Sequence, residues 1–162
     1  MTITRTSAPP RRTGGEKLTP LELGAWREFL HAHAVLTREL DEELRRAHGL
    51  PLSSYDVLVN LESAEDRQMR MSELADAVLL SRSGLTRLVE RLEREGLLVR
   101  ADCPSDARGS LAVLTDAGTA RLAEARKTHL RGVRDRFLDH FSDDELERLG
   151  EHWRRLLPAE DE

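Results

Sequence analysis

The stretch that most restricts the fold is residues 79–100, LLSRSGLTRLVERLEREGLLVR. If it forms a helix that begins after Ser81 and ends before Gly96, one side is an apolar stripe. That stripe consists of Leu85, Leu88, Val89 and Leu92. The opposite side is polar and consists of Ser83, Arg87, Glu90 and Arg94, flanked by Thr86 and Arg91. So many arginines on the outer face of one short helix predict either a solvated surface or a binding surface.

The segments around this helix predict a helix-turn-helix with a wing. A short helix over 72–79, capped by Ser72, comes directly before it and follows a turn and a short strand within 67–71. After the arginine-bearing helix the apolar period changes from 3.6 to about two, which predicts strands over 97–100 and 111–114. The polar loop ADCPSDARGS joins these strands into a hairpin. Two abutting helices followed by a hairpin are typical of a winged helix-turn-helix.

Amphipathic helices flank this central unit on both sides. The predicted helices cover residues 20–47, 54–64, 116–140 and 143–157. The residues expected to cap their N-termini are Thr19, Ser53, Thr115 and Ser142. The terminal helices carry large apolar residues that a small central lobe cannot cover, so we expect them to pack against each other and a second copy.

The domain organisation follows from these elements. Residues 1–18 mix proline, glycine, threonine and arginine without periodicity and are predicted to form a disordered arm. Residues 19–162 are predicted to form a single domain, with a winged helix-turn-helix lobe over 53–115 and dimerisation helices over 19–48 and 116–157. The expected fold class is mainly α, with long N- and C-terminal dimerisation helices and a small β-hairpin wing.

The composition excludes a membrane protein. Charged residues make up 34% of the chain and aromatic residues 4%, which is typical of a helix-rich globular protein. No apolar run approaches the ~20 residues that a membrane helix needs, and no secretory signal opens the chain. We therefore expect no membrane partner and a cytoplasmic protein. The single Cys103 has acidic neighbours, whereas reactive thiols usually lie near cations, so a structural role is favoured over redox sensing.

The sequence predicts neither a metal site nor a catalytic site. The six histidines form no tight cluster with cysteine, and His31 and His33 would point about 200° apart on a helix. The sequence contains no phosphate loop, no H-E-x-x-H motif and no recognisable pair of nucleophile and base. We therefore expect a protein that is not an enzyme and holds no cofactor.

The run MSELADAVLLSRSGLTRLVERLEREGLLVR and the following ADCPSDARGSLAVLTDAG resemble the MarR family of winged helix-turn-helix transcriptional regulators. The resemblance lies in the order of recognition helix, Gly-Leu, strand, Asp-x-Arg wing and Leu-Thr-x-x-Gly helix start. It extends in organisation over residues 20–157 and is tightest over 71–118. It implies a homodimer that binds a pseudo-palindromic operator in double-stranded DNA and is released by a small ligand or an oxidant.

The resemblance also implies roles for single residues. The positions implied to face the major groove are Ser83, Thr86 and Arg87, and those near phosphates are Arg82 and Arg91. Arg108 occupies the wing position that reaches the minor groove, and Asp106 the position that steadies it. These roles are physically reasonable, because an arginine can bind guanine with two hydrogen bonds, worth about 1–3 kcal/mol of discrimination. A narrow minor groove also attracts arginine through its negative potential.

A ligand site is implied near Trp26, His33 and Tyr55, which lie on helices that border the ligand pocket in the family. Aromatic residues with polar tips suit an aromatic or phenolic effector, although one aromatic on an apolar stripe is normally a core residue. The predicted function is a sequence-specific DNA-binding transcriptional regulator, a homodimeric repressor released by such a small molecule. The alternative is a winged-helix protein-interaction or architectural module that does not read bases, because a fold does not fix a function.

Overall fold

The computed structural model describes residues 17–103 and 106–157, and for residues 106–109 the backbone alone. The chain divides into two compact units, one up to Val35 and one from Leu36 on. The first described helix, α1, covers Pro20–His48. Its start confirms the predicted cap, because Thr19 Oγ1 accepts a hydrogen bond from the Glu22 amide and a Glu22 carboxylate oxygen accepts one from the Thr19 amide at 2.8 Å.

The elements after α1 follow the predicted order. They are α2 (Leu52–Ser63), β1 (Gln68–Arg70), α3 (Met71–Ala77), α4 (Arg82–Arg94), β2 (Leu98–Cys103), β3 (Asp106–Leu114), α5 (Asp116–Arg136) and α6 (Asp143–Arg154). Short 3₁₀ turns cover Glu65–Arg67 and Leu138–His140. The predicted fold class, mainly helical with a small antiparallel hairpin, is confirmed. None of the described helices is long and apolar enough to cross a membrane.

The sheet is larger than the sequence predicts. Its three strands lie in the order β1, β3, β2 and are all antiparallel, with Ala112 of β3 between Met69 and Arg100. The hairpin continues through most of the predicted loop, where Asp102 pairs with Ser110. The predicted strands were too short because the outer part of β2 is exposed and shows no apolar alternation.

The core lies in the second unit and confirms the predicted apolar stripe of α4. Leu85, Leu88, Val89 and Leu92 are all buried. They belong to one cluster with residues of α2, α3, β2, β3 and α5, including Leu58, Leu61, Leu74, Leu98, Ala112, Leu122 and Ala125. This cluster anchors α4 by its apolar side and leaves its polar side outward.

Two predicted caps were wrong. α2 has Pro51 at its N-cap position with no side-chain cap, so Ser53 lies inside the first turn. The Leu52 amide is instead satisfied by Asp41 Oδ1 at 2.8 Å, from the end of α1. α3 has Arg70 at its N-cap position, and Ser72 lies within the helix. In α2 a residue distant in sequence supplies the acceptor that we expected from a local hydroxyl.

The last two helices begin as predicted and end earlier. Thr115 Oγ1 accepts from the Gly118 amide at 3.0 Å, and Ser142 forms a capping box with Glu145. α5 ends at Arg136 instead of continuing to 140, because the backbone of Phe137 leaves the helical region. α6 ends at Arg154.

Candidate nucleic-acid interface

The turn between α3 and α4 has a defined hydrogen-bond pattern. The Leu80 amide donates to the Ala75 carbonyl at 3.0 Å and the Leu79 amide to the Asp76 carbonyl at 3.3 Å, which is a Schellman motif with Leu79 in the left-handed region, at φ 53°. Two residues later Ser81 Oγ accepts from the Gly84 amide at 3.1 Å and so begins α4. These contacts form the tight turn of a helix-turn-helix.

The polar side of α4 presents unpaired cations. Arg82, Ser83 and Arg87 are exposed, and the helical pattern predicted this for Ser83 and Arg87. Among residues 17–103 and 110–157, whose side chains the structure describes, no carboxylate pairs with Arg82 or Arg87. Thr86 is half-buried, and its hydroxyl donates to the Arg82 carbonyl at 2.9 Å. The first turns of α4 therefore offer two guanidinium groups and the Ser83 hydroxyl to a ligand outside the chain.

Arg91 is arranged differently from Arg82 and Arg87. It is half-buried and donates a hydrogen bond to the hydroxyl of Ser54 on α2. Its Nε lies 3.9 Å from a Glu95 carboxylate oxygen, which is too far for a hydrogen bond. The phosphate contact implied for Arg91 stays a prediction, and the contact with Ser54 could not be predicted from local spacing.

The end of α4 is fastened to the wing. Arg100 Nη2 of β2 lies 2.9 Å from Glu93 Oε2, and the Arg100 amide donates to Glu93 Oε1 at 3.3 Å. The wing residues Asp106 and Arg108 lie in β3, but their side chains are outside the described residues. Their roles in DNA binding stay predictions.

The sequence was compared with known proteins. A profile of the MarR family matches residues 48–109. The uncharacterized HTH-type transcriptional regulator YxaD of Bacillus subtilis is 33% identical over 120 residues, which cover 74% of this chain and 82% of YxaD. This chain belongs to the MarR family. It is therefore a transcriptional regulator rather than an enzyme.

Solved structures of MarR-family regulators resemble the chain closely. Sco3205 of Streptomyces coelicolor, solved in complex with DNA, has a TM-score of 0.84 and 36% identity, covering 91% of this chain and 95% of Sco3205. AbsC of the same organism has a TM-score of 0.81 and 34% identity, covering 88% of this chain and 95% of AbsC. The likeness thus extends well beyond the winged lobe.

The residues that the MarR resemblance assigns to a ligand lie in both units. In the first unit the Trp26 ring stacks on Phe29 at a centroid distance of 5.8 Å, and Phe29 lies 6.3 Å from the His33 ring. Trp26 is 52% exposed, so it is not a core residue of the single chain. In the second unit Tyr55 is buried, with its ring centroid 4.4 Å from that of His129. Their binding of an effector stays a prediction.

A cluster of ionisable residues joins α2, α5 and the end of α1, and sequence reasoning missed it. Arg126 pairs with Glu62 and hydrogen-bonds the Tyr55 hydroxyl, while burial raises the pKa of Tyr55. Burial lowers the pKa of His129, against an opposing pull from the Glu43 carboxylate. These partners lie tens of residues apart, so no local spacing could identify them.

A second part of this cluster surrounds Glu43. Its carboxylate oxygens lie 2.7 Å from Arg136 Nη1 and 3.3 Å from Arg131 Nη2. These ion pairs fasten α5 to the part of α1 that follows Leu36. Within the ranges that the structure describes, no group of three or more His, Cys, Asp or Glu side chains could hold a metal ion.

Proposed function

We propose that this MarR-family protein is a sequence-specific DNA-binding regulator whose helix α4 enters the major groove of its operator. The observation that carries the proposal is the exposure of Arg82 and Arg87 on α4, where no carboxylate of a described side chain pairs with them. Arg100, which follows α4 in the chain, and Arg126 on α5 pair with carboxylates, whereas Arg82 and Arg87 keep exposed guanidinium groups. The DNA complex of the similar protein Sco3205 also supports it.

The residues divide into groups by the chemistry they offer. We propose that Arg87 donates to a base edge together with Ser83 and Thr86, because arginine can bind guanine at two acceptors. Arg82 and Arg91 would bind phosphates, which position the protein without reading sequence. The same reasoning assigns Arg108 to the minor groove, with Asp106 holding it in position.

The protein would act as a homodimer. Large apolar side chains are exposed in both units, and they include Leu21, Trp26, Phe29, Leu130, Trp153 and Leu156. Monomeric proteins rarely leave so much apolar surface uncovered, so a second copy is the proposed cover. A two-fold dimer would present its two α4 helices about 34 Å apart, one turn of B-DNA, to the half-sites of a pseudo-palindromic operator.

The proposed regulation is repression that a small ligand relieves. An aromatic or phenolic effector would favour a dimer in which the two α4 helices no longer match the groove spacing. Such a ligand shifts the equilibrium between the two dimer states only because it binds one of them more tightly. Typical coupling free energies between two binding sites are about 1–3 kcal/mol. We place this activity in the cytoplasm, where the lone Cys103 would stay reduced.

A footprint of the purified protein on the DNA that flanks its own gene tests the proposal. The salt concentration should be about 0.15 M, so that the sequence-independent attraction to phosphates is weak. Protection of a site with approximate two-fold symmetry is the expected result. A folded protein that protects no site would instead support the alternative, a winged-helix interaction or architectural module.

A further inference from the structure

Leu79 is neither buried in the core nor in a backbone conformation that favours leucine. Its side chain is 92% exposed, although its neighbours Val78 and Leu80 pack against the core. Its backbone lies in the left-handed region, at φ 53°. The residue therefore adds nothing to the core.

The backbone position makes leucine unfavourable. Leu79 follows the last turn of α3 at the place in the Schellman motif that glycine usually occupies. A side chain with a Cβ in the left-handed region meets the following carbonyl oxygen, whereas glycine does not. Glycine would thus build the same turn at lower conformational cost, and the leucine side chain itself calls for an explanation.

The position of Leu79 in the chain places it next to the proposed DNA-binding residues. It lies two residues before the N-cap Ser81 and three before the unpaired Arg82, at the end of α4 that carries the proposed DNA-binding residues. The major groove offers an apolar group to a protein at one kind of base, the C5-methyl group of thymine.

We propose that Leu79 makes an apolar contact with a thymine methyl group at the edge of the bases that α4 reads. This inference rests on the proposed function, because it requires a DNA complex with α4 in the major groove. The inference adds a residue outside α4 that determines sequence specificity. This residue would recognise its base through an apolar contact instead of a hydrogen bond.

The test replaces each thymine of the footprinted operator by deoxyuridine, one at a time, and measures the affinity of the wild type and of Leu79→Gly. Deoxyuridine removes the methyl group and keeps every hydrogen-bonding atom. For one thymine in each half-site, the wild type should lose about fourfold in affinity, the value of one buried methyl group. Leu79→Gly should bind the natural operator at least fourfold more weakly and lose nothing further at that thymine.

Asp66→Gly is the matched control. Asp66 is also exposed and in the left-handed region, at φ 51°, but it lies before β1 and outside the turn between α3 and α4. Both glycine variants should unfold at the same or higher urea concentration than the wild type, and Asp66→Gly should keep the wild-type response to every deoxyuridine.

The outcomes separate this inference from the proposed function. If the wild type binds the operator but loses no more affinity than Leu79→Gly at any thymine replaced by deoxyuridine, the methyl contact is refuted. The proposed function as a DNA-binding regulator would still stand. An equal loss by Leu79→Gly on all duplexes would also refute the contact, because it would indicate a sequence-independent effect. If the wild type protects no site at all, the proposed function itself fails.

Discussion

Arg91 on α4 donates a hydrogen bond to the hydroxyl of Ser54, a side chain on α2 that is fully buried. This contact holds the Arg91 side chain on the flank of the buried stripe, and the stripe itself fixes the rotation of α4. In the proposed DNA complex the position of Arg91 would therefore depend on a residue of another helix. Ser54 is a positioning residue in this account and does not itself face DNA.

Replacing Ser54 tests how much its contact with Arg91 stabilises the protein. Ser54→Ala leaves a half-buried guanidinium without its partner, and we expect the free energy of unfolding to fall by about 1–3 kcal/mol. Urea unfolding monitored by circular dichroism measures this change. The control is Ser53→Ala, a half-buried neighbour with no hydrogen bond to a described side chain, which should change the value by less than about 0.5 kcal/mol. Equal effects of the two variants would contradict the stabilising role of the hydrogen bond between Arg91 and Ser54.

Arg87→Ala tests direct base reading. We expect a loss of about 1–3 kcal/mol at the operator, together with reduced discrimination at one base pair. Binding to the operator and to its single-base variants, followed by fluorescence anisotropy, gives both quantities. Arg46→Ala removes an exposed arginine of α1 and should change the affinity by less than about twofold. A uniform loss on every duplex with Arg87→Ala would mean that Arg87 contacts only phosphate.

The local pattern predicted α4 well because everything that defines it lies within one stretch of chain. Ser81 caps the helix, and its apolar stripe is buried as the spacing requires. Ser83 and Arg87 lie opposite that stripe and are exposed. Thr86 and Arg91 lie on the flanks of the apolar stripe, where the helical period does not predict whether a side chain is buried or exposed. Both are half-buried.

The features that could not be predicted depend on residues far apart in sequence. Asp41 accepts the hydrogen bond from the first amide of α2, and the Ser54 hydroxyl accepts one from Arg91, 37 residues away. The cluster around Glu43 joins residues of α1 to residues of α5. The outer hairpin was missed for another reason, since an exposed pair of strands carries no apolar alternation.

Gly118 is predicted to be essential for the packing of α5 against the hairpin. A β-carbon at this position would overlap the Leu97 carbonyl oxygen and lie 2.7 Å from a methyl carbon of Leu114. We expect Gly118→Ala to destabilise the protein by about 1–3 kcal/mol, because rigid backbone must move. Gly24→Ala is the control, since nothing lies within 4 Å of its added carbon, and it should stabilise α1 by up to about 1 kcal/mol. Thermal unfolding measures the stability of both variants. If Gly118→Ala unfolded at the same temperature as the wild type, the predicted clash with Leu97 would be contradicted.

His129 is predicted to make stability depend on pH. Burial lowers its pKa below the ordinary value of 6.5, and its Nδ1 is buried without a hydrogen-bond partner among the described residues. The unfolded chain therefore takes up the proton at a higher pH than the folded chain does. Stability should be complete above about pH 6.5 and decrease as the pH falls through the folded pKa.

The variant His129→Phe isolates this contribution. It keeps a ring against Tyr55 and removes the titrating group. The free energy of unfolding, measured at pH 7.5 and pH 5.5, should fall less for His129→Phe than for the wild type. An unchanged difference between the two pH values would show that other groups cause the loss.

The measurement that tests the central claim most directly compares the affinity of the wild type for the footprinted site with its affinity for a shuffled duplex of the same composition, at about 0.15 M salt. If α4 reads bases, the footprinted site should bind at least about 10³-fold more tightly. A ratio near one, with the protein folded, would contradict base reading by α4.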